Sequence, residues 1–206
     1  MAIPSSAPVS GLGPQSQSQT LSPAGLAHVV LRTQPANFRN MTDFYKRFLG
    51  AHASHENDFL SFLTYDDEHH RIAIAALPDI RPRDPKTCGL EHIAFTFSSL
   101  ADLLLAYRQR KAQGIHPIWA VNHGVTLSIY YRDPDGNQIE TQVDCFASPD
   151  EATAYMRSAD YIENPIGVDF DPEEFIARLE GGVPERELYV RPRIGPRGMD
   201  SVPLVE

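Results

Sequence analysis

Cysteine is scarce in this chain of 206 residues: only Cys88 and Cys145 are present, far apart and outside any CxxC pattern. That excludes a disulfide framework and a cysteine-held zinc site, and fits two reduced, partly buried thiols in a cytoplasmic protein. Basic residues are also few. Lys and Arg number 18 against 27 Asp and Glu, a formal net charge of −9. A phosphate backbone calls for a basic footprint, so nucleic acid is excluded as a partner, and charge of this sign favours solubility. No apolar run approaches the roughly 20 residues of a membrane span. Residues 1–24 lack the charged and apolar regions of a secretory signal and the arginines of a mitochondrial presequence. They are rich in Pro, Ser, Gln and Gly instead. Such a stretch buries too little apolar surface to offset its ordering entropy, and it reads as a disordered tail.

The ordered part begins near Leu26. Residues 26–31 (LAHVVL) read as a short buried strand. A helix follows, with Met41, Phe44, Tyr45 and Phe48 at helical spacing and Gly50 as its stop. Residues 59–65 and 70–77 read as strands around the polar turn Asp66-Asp67-Glu68, and the proline-rich stretch 78–87 as a linker. The order then recurs. Residues 89–95 form a strand with a central His92, Ser99 caps a helix striped with Leu100, Leu103, Leu104 and Tyr107, and Gly114 stops it. Strands follow at 117–122, 126–132 and 138–143, the last two joined by the turn Asp133-Pro134-Asp135-Gly136. His28 to His92 is 64 residues (92 − 28), and so is Gly50 to Gly114 (114 − 50). One interval relating both features, with the same element order, indicates two copies of a βαβββ unit. The fold class is therefore α+β: two βαβββ modules, about 25–80 and 88–145, forming an open barrel around a site, with a 146–206 extension. Ser148-Pro149 and Asp171-Pro172 open two short helices in that extension.

Strand alternation places His28 on one face with Leu26 and Val30, and His92 with Leu90 and Ala94. Each is then a buried imidazole among apolar neighbours, and needs a partner. One such histidine reads most simply as a hydrogen-bonded core residue. Two at equivalent positions of a repeat, with Glu140 in a late strand of the second unit, favour a shared metal. Two imidazoles and one carboxylate suit non-haem Fe(II), with Mn(II) as a substitute, and leave three of six positions open. A vicinal diol fills two of these and dioxygen the third. Projecting Glu140 back by 64 to 66 residues lands on Ala76, Ala75 or Ile74, none of which binds metal.

Residues 121–140 (VNHGVTLSIYYRDPDGNQIE) resemble the signature of type I extradiol ring-cleavage dioxygenases of the vicinal oxygen chelate superfamily. His123, Ile129, Tyr130, Asp133, Pro134, Gly136 and Glu140 fall at the constrained positions. The resemblance covers roughly residues 25 to 145, the length of a one-domain member. It implies His28, His92 and Glu140 as metal ligands, and His123 and Tyr130 as groups that hydrogen-bond the substrate oxygens. It also implies His70 as the histidine that helps to deprotonate the diol, with His69 competing for that place. The implied reaction opens a catechol-like ring with O2, on a small aromatic diol, in a chain that forms no membrane contact and can assemble as a homodimer or higher homo-oligomer. Two other readings of the same superfamily stand beside it. A glyoxalase-like lyase or isomerase/epimerase would use Ni, Zn or Co and a fourth ligand from the first unit. A binding protein of the bleomycin-resistance kind would lack the triad.

Overall fold

A computed structural model describes residues 20–203. Of the disordered tail expected for residues 1–24, residues 1–19 lie outside them. The first module runs β1 (Val29–Thr33), α1 (Phe38–Leu49), β2 (His52–Glu56), β3 (Leu60–Thr64) and β4 (Ile72–Ala76). The second runs β5 (His92–Thr96), α2 (Leu100–Ala112), β6 (Trp119–Asn122), β7 (Thr126–Arg132) and β8 (Gln138–Asp144). The sheets have the same topology, β1-β4-β3-β2 and β5-β8-β7-β6, with the first and last strands of each module paired in parallel. Both helices end as their sequences require: Gly50 and Gly114 take the left-handed conformation (φ 63° and 77°) that other residues enter at a cost. The Ser99 side chain accepts from the Asp102 backbone N–H and caps α2.

The sheets are two-faced. On one side Leu31, Ile72, Ile74, Leu127, Ile129, Tyr131, Ile139 and Val143 join the stripes of α1 and α2 in a single core spanning both modules. The histidines lie on the other side, and this corrects the sequence reading. Leu26, Val30 and Leu90 are exposed rather than buried. Alternation says that two faces of a strand differ, not which of them the helices cover. His28 also sits just before β1 rather than within it, and His69 and His70 lie in the turn before β4. Strand parity therefore does not choose between those two histidines.

Register also corrects the projection between modules. Ala94 stands opposite Glu140, and the equivalent Val30 stands opposite Ala73. The counterpart of Glu140 is thus Ala73, just outside the projected window because the second module is longer between its first and last strands. An alanine there still offers no ligand. Beyond residue 146 the chain forms α3 (Pro149–Met156), α4 (Ala159–Glu163), β9 (Val168–Asp169), α5 (Pro172–Glu180) and α6 (Glu185–Leu188), two more helices than the caps in the sequence indicated. Strand β9 pairs antiparallel with β6 as a fifth strand of the second sheet. Cys88 is exposed, and burial raises the Cys145 thiol to about 12.

Asp133, of the Asp-Pro-Asp-Gly turn, ties the modules together. Its carboxylate accepts backbone N–H bonds from Asp135 and Asn137 at 2.9 Å and the hydroxyl of the wholly buried Tyr45 on α1 at 3.0 Å. Tyr45→Phe should lower stability by about 2 kcal/mol, the worth of a hydrogen bond to a charged acceptor, without changing the fold. Urea unfolding followed by circular dichroism measures this, and an unchanged midpoint would show that the bond contributes nothing.

Candidate active site

The helix-free face of the second sheet carries one row of side chains across four strands. Ala94 on β5 is opposite Glu140 on β8, Glu140 is opposite Tyr130 on β7, and Tyr130 is opposite Trp119 on β6. His92, two residues before Ala94, shares this face, and its Nε2 lies 3.0 Å from Glu140 Oε2. The Glu140 side chain is 7% exposed and that of His92 33%, so the pair sits at the boundary between protein and open face. Burial works against the carboxylate, but hydrogen bonds from His92 and Ser128 and the charge of His92 outweigh it and hold Glu140 below the usual range. The same hydrogen bond raises His92 against the opposing effect of burial.

Tyr130 and His123 extend the row. The Tyr130 hydroxyl is 2.9 Å from His123 Nε2, and His123 Nδ1 is 2.6 Å from the Ile166 carbonyl oxygen. Burial lowers His123, keeping its imidazole neutral near pH 7. Burial, and next the Glu140 charge, lift Tyr130 far above its ordinary value, so it stays a phenol. Ser128, two residues from Tyr130 on the same face, was not singled out in the sequence. Parity with Tyr130 is the signal that could have found it.

The first module contributes a separate group. The His28 ring lies tilted against His70 with centroids 4.3 Å apart, His70 is likewise tilted against Phe62 at 4.7 Å, and His69 adjoins His70 at 4.4 Å. Burial, followed by the neighbouring His28 and His69, lowers His70. The structure thus brings His92, Glu140, Tyr130 and His123 together, and His28 with His70. It does not gather His28, His92 and Glu140 at one point: among the described residues no three His, Cys, Asp or Glu side chains are grouped to hold an ion. The His28 ring is turned onto His70. The two groups nevertheless border each other, because one 170 Å³ hollow is lined by His28 and Val29 of the first module and Ile93 and Ala94 of the second.

Comparison with known proteins agrees with this architecture. The family model of the Glyoxalase/Bleomycin resistance protein/Dioxygenase superfamily matches residues 25–141. The chain belongs to this superfamily. It is 48% identical over 159 residues to biphenyl-2,3-diol 1,2-dioxygenase 2 of Rhodococcus globerulus, covering 77% of this chain and 83% of that one. It is also 48% identical over 170 residues to biphenyl-2,3-diol 1,2-dioxygenase 3 of the same organism, covering 81% and 87%. A glyoxalase/dioxygenase of Nostoc punctiforme shares the fold, with a TM-score of 0.50, 19% identity and coverage of 63% of this chain and 99% of that one. The chain is an extradiol ring-cleavage dioxygenase. No described helix is long and apolar enough to cross a membrane.

Extradiol dioxygenases work with a catalytic metal, and the residues of this superfamily member fit one. His92 Nε2 and Glu140 Oε2 stand 3.0 Å apart, the separation of adjacent donors on a divalent ion with bonds of about 2.1 Å. A buried carboxylate beside imidazole nitrogens is also the donor set that such an ion prefers.

The extension closes the far side of the row. Ile166 and Val202 pack on Trp119, Val121 and Tyr130, and Trp119 Nε1 donates to Asp169 on β9 at 2.7 Å. Trp119→Phe keeps one aromatic ring and loses the pyrrole ring with this bond. It should cost about 2 kcal/mol or more in urea unfolding, lost packing included, and leave Asp169 paired with Arg197. A cost near zero would mean that Arg197 alone holds β9.

Proposed function

We propose that this dioxygenase uses Fe(II) held by His28, His92 and Glu140 to cleave a 2,3-dihydroxybiphenyl-like diol beside its hydroxyl groups. The observation that carries the reading is the His92–Glu140 contact at 3.0 Å, set in one row with Tyr130 and next to His123. The diol class is supported by the two Rhodococcus relatives, both named for biphenyl-2,3-diol, and by the exposed Leu26 and Ala94, which line one hollow with His28. Apolar side chains left open beside a polar centre suit an aromatic ring. The absence of a ligand at Ala73 disfavours the four-ligand lyase or isomerase reading.

Bound iron would offset the charge of the ionised diol and hold it beside dioxygen. The protein groups manage the protons. Tyr130 is kept as a phenol, its one proton shared between two acceptors, the Glu140 carboxylate and the Nε2 of neutral His123. A diol hydroxyl that hydrogen-bonds to Tyr130 Oη can therefore pass its proton inward, as the Tyr130 proton moves to His123 Nε2. The imidazolium so formed keeps its Nδ1–H on the Ile166 carbonyl. His70 is likewise held neutral and serves as the base for the second hydroxyl, at the edge of the face where His28 lies.

The test is to load purified protein anaerobically with Fe(II), add a panel of catechols including 2,3-dihydroxybiphenyl, admit oxygen, and follow oxygen uptake and the yellow ring-opened product. Iron-dependent uptake with a yellow product is expected, strongest for the biphenyl diol. Stoichiometric iron with no uptake across the panel would overturn the reading. Glu140→Gln and His92→Ala should lose iron and activity together, and full turnover in Glu140→Gln would remove it from the metal site. Tyr130→Phe should keep iron and lose about 10²-fold in kcat, as expected for a removed proton-handling group.

A further inference from the structure

The C-terminal extension reaches the site through a main-chain atom. A carbonyl oxygen only accepts, so the 2.6 Å contact between Ile166 O and His123 Nδ1 requires a proton on Nδ1. In a neutral imidazole that leaves the Nε2 lone pair facing Tyr130 Oη. The carbonyl is held there from several sides. The Asn164 side chain, 4% exposed, bonds both the N–H and the carbonyl of Gly167. Arg191, its side chain 3% exposed, donates to the Asn164 carbonyl at 2.6 Å, to the His123 carbonyl at 3.4 Å, and to Asp160. Gly167 lies so close to the β6–β7 turn that a Cβ would clash with Asn122 O and stand 2.9 Å from His123 Cα, and its φ of 108° disfavours side chains. Only glycine lets residue 166 approach His123 this closely. Trp119 meets the His123 ring edge-on at 5.6 Å and completes the clamp.

We propose that the 164–169 segment, clamped by Arg191, is a positioning element of the active site that fixes His123 in its Nδ1–H tautomer and so keeps Nε2 available to take a proton through Tyr130. The extension is then needed for the rate of the reaction and not only for the stability of the sheet edge. Without the clamp the imidazole can place its proton on Nε2, which then donates to Tyr130 Oη and has no lone pair to receive the Tyr130 proton, so the transfer is blocked. The rate consequence rests on the ring-cleavage reading, whereas the tautomer does not.

Two measurements separate these. In full-length metal-free protein labelled with ¹⁵N in histidine, the His123 signals, identified by their loss in His123→Ala, should show a single protonated Nδ1 and a lone-pair-bearing Nε2. Gly167→Ala and Arg191→Met should show a mixture of tautomers. In the iron-loaded enzyme the same two variants should lose about 10- to 100-fold in kcat, the range found for groups that orient a working histidine. Their iron content and KM for the diol should stay within about twofold of the parent, a split that loss of folded protein does not produce. If Gly167→Ala fails to fold, Arg191→Met carries the test, because it leaves the backbone free to follow its own path. A wild-type His123 protonated at Nε2 would overturn the proposal. So would variants whose kcat is unchanged or falls only in step with lost iron. An inactive parent enzyme with the expected tautomer would reject the proposed Fe(II) and diol chemistry and leave the clamp intact.

Discussion

The arrangement depends on the register of β5, β8 and β7. Ala94, Glu140 and Tyr130 stand opposite one another, and Ile93, Ile139 and Tyr131 do so on the helix-covered face. Side chains alternate with a period of two, so a slip of one residue would bury Glu140 among the core apolar groups and turn Ile139 to the open face. Burying that carboxylate without His92 and Ser128 would cost several kcal/mol. The core thus enforces the register, and the register sets the chemistry. Tyr45 and Asp133 reinforce this from a distance by pinning the turn that joins β7 to β8.

The two modules share a topology and divide the work. The first holds His28 beside His70, and Ala73 stands where the second has Glu140. A fold with two equivalent positions thus carries a carboxylate at one of them. The extension adds β9 to the second sheet and covers Trp119, Tyr130 and His123, so that end of the row is buried and the His92 end is more open. That asymmetry raises Tyr130 and lowers His123, giving a donor and an acceptor near pH 7 from two groups 2.9 Å apart.

Much of this was legible in the sequence. The stripes on α1 and α2 and the stops at Gly50 and Gly114 depend on neighbours within a turn or two, where periodicity speaks directly. The repeat, and with it the doubled sheet, followed from the 64-residue offset. The orientation of the histidine face did not, since the pattern around His28 and His92 fits either side of a sheet. The cluster of His28, His69 and His70 was hidden because these residues lie in connections, outside the alternation that strands impose. The clamp on His123 left no mark, because its partners lie 43 and 68 residues away and one of them is a backbone carbonyl that any residue could supply.

The central claim is that one iron is shared between the beginnings of β1 and β5 and the middle of β8. An anaerobic crystal structure of the full chain loaded with Fe(II) tests it most directly, with anomalous scattering at the iron edge to place the metal. The account expects one iron per chain, bonded to His28, His92 and the Glu140 carboxylate, with the His28 ring turned away from His70. Iron bound without His28, or at a place remote from the His92–Glu140 pair, would contradict it.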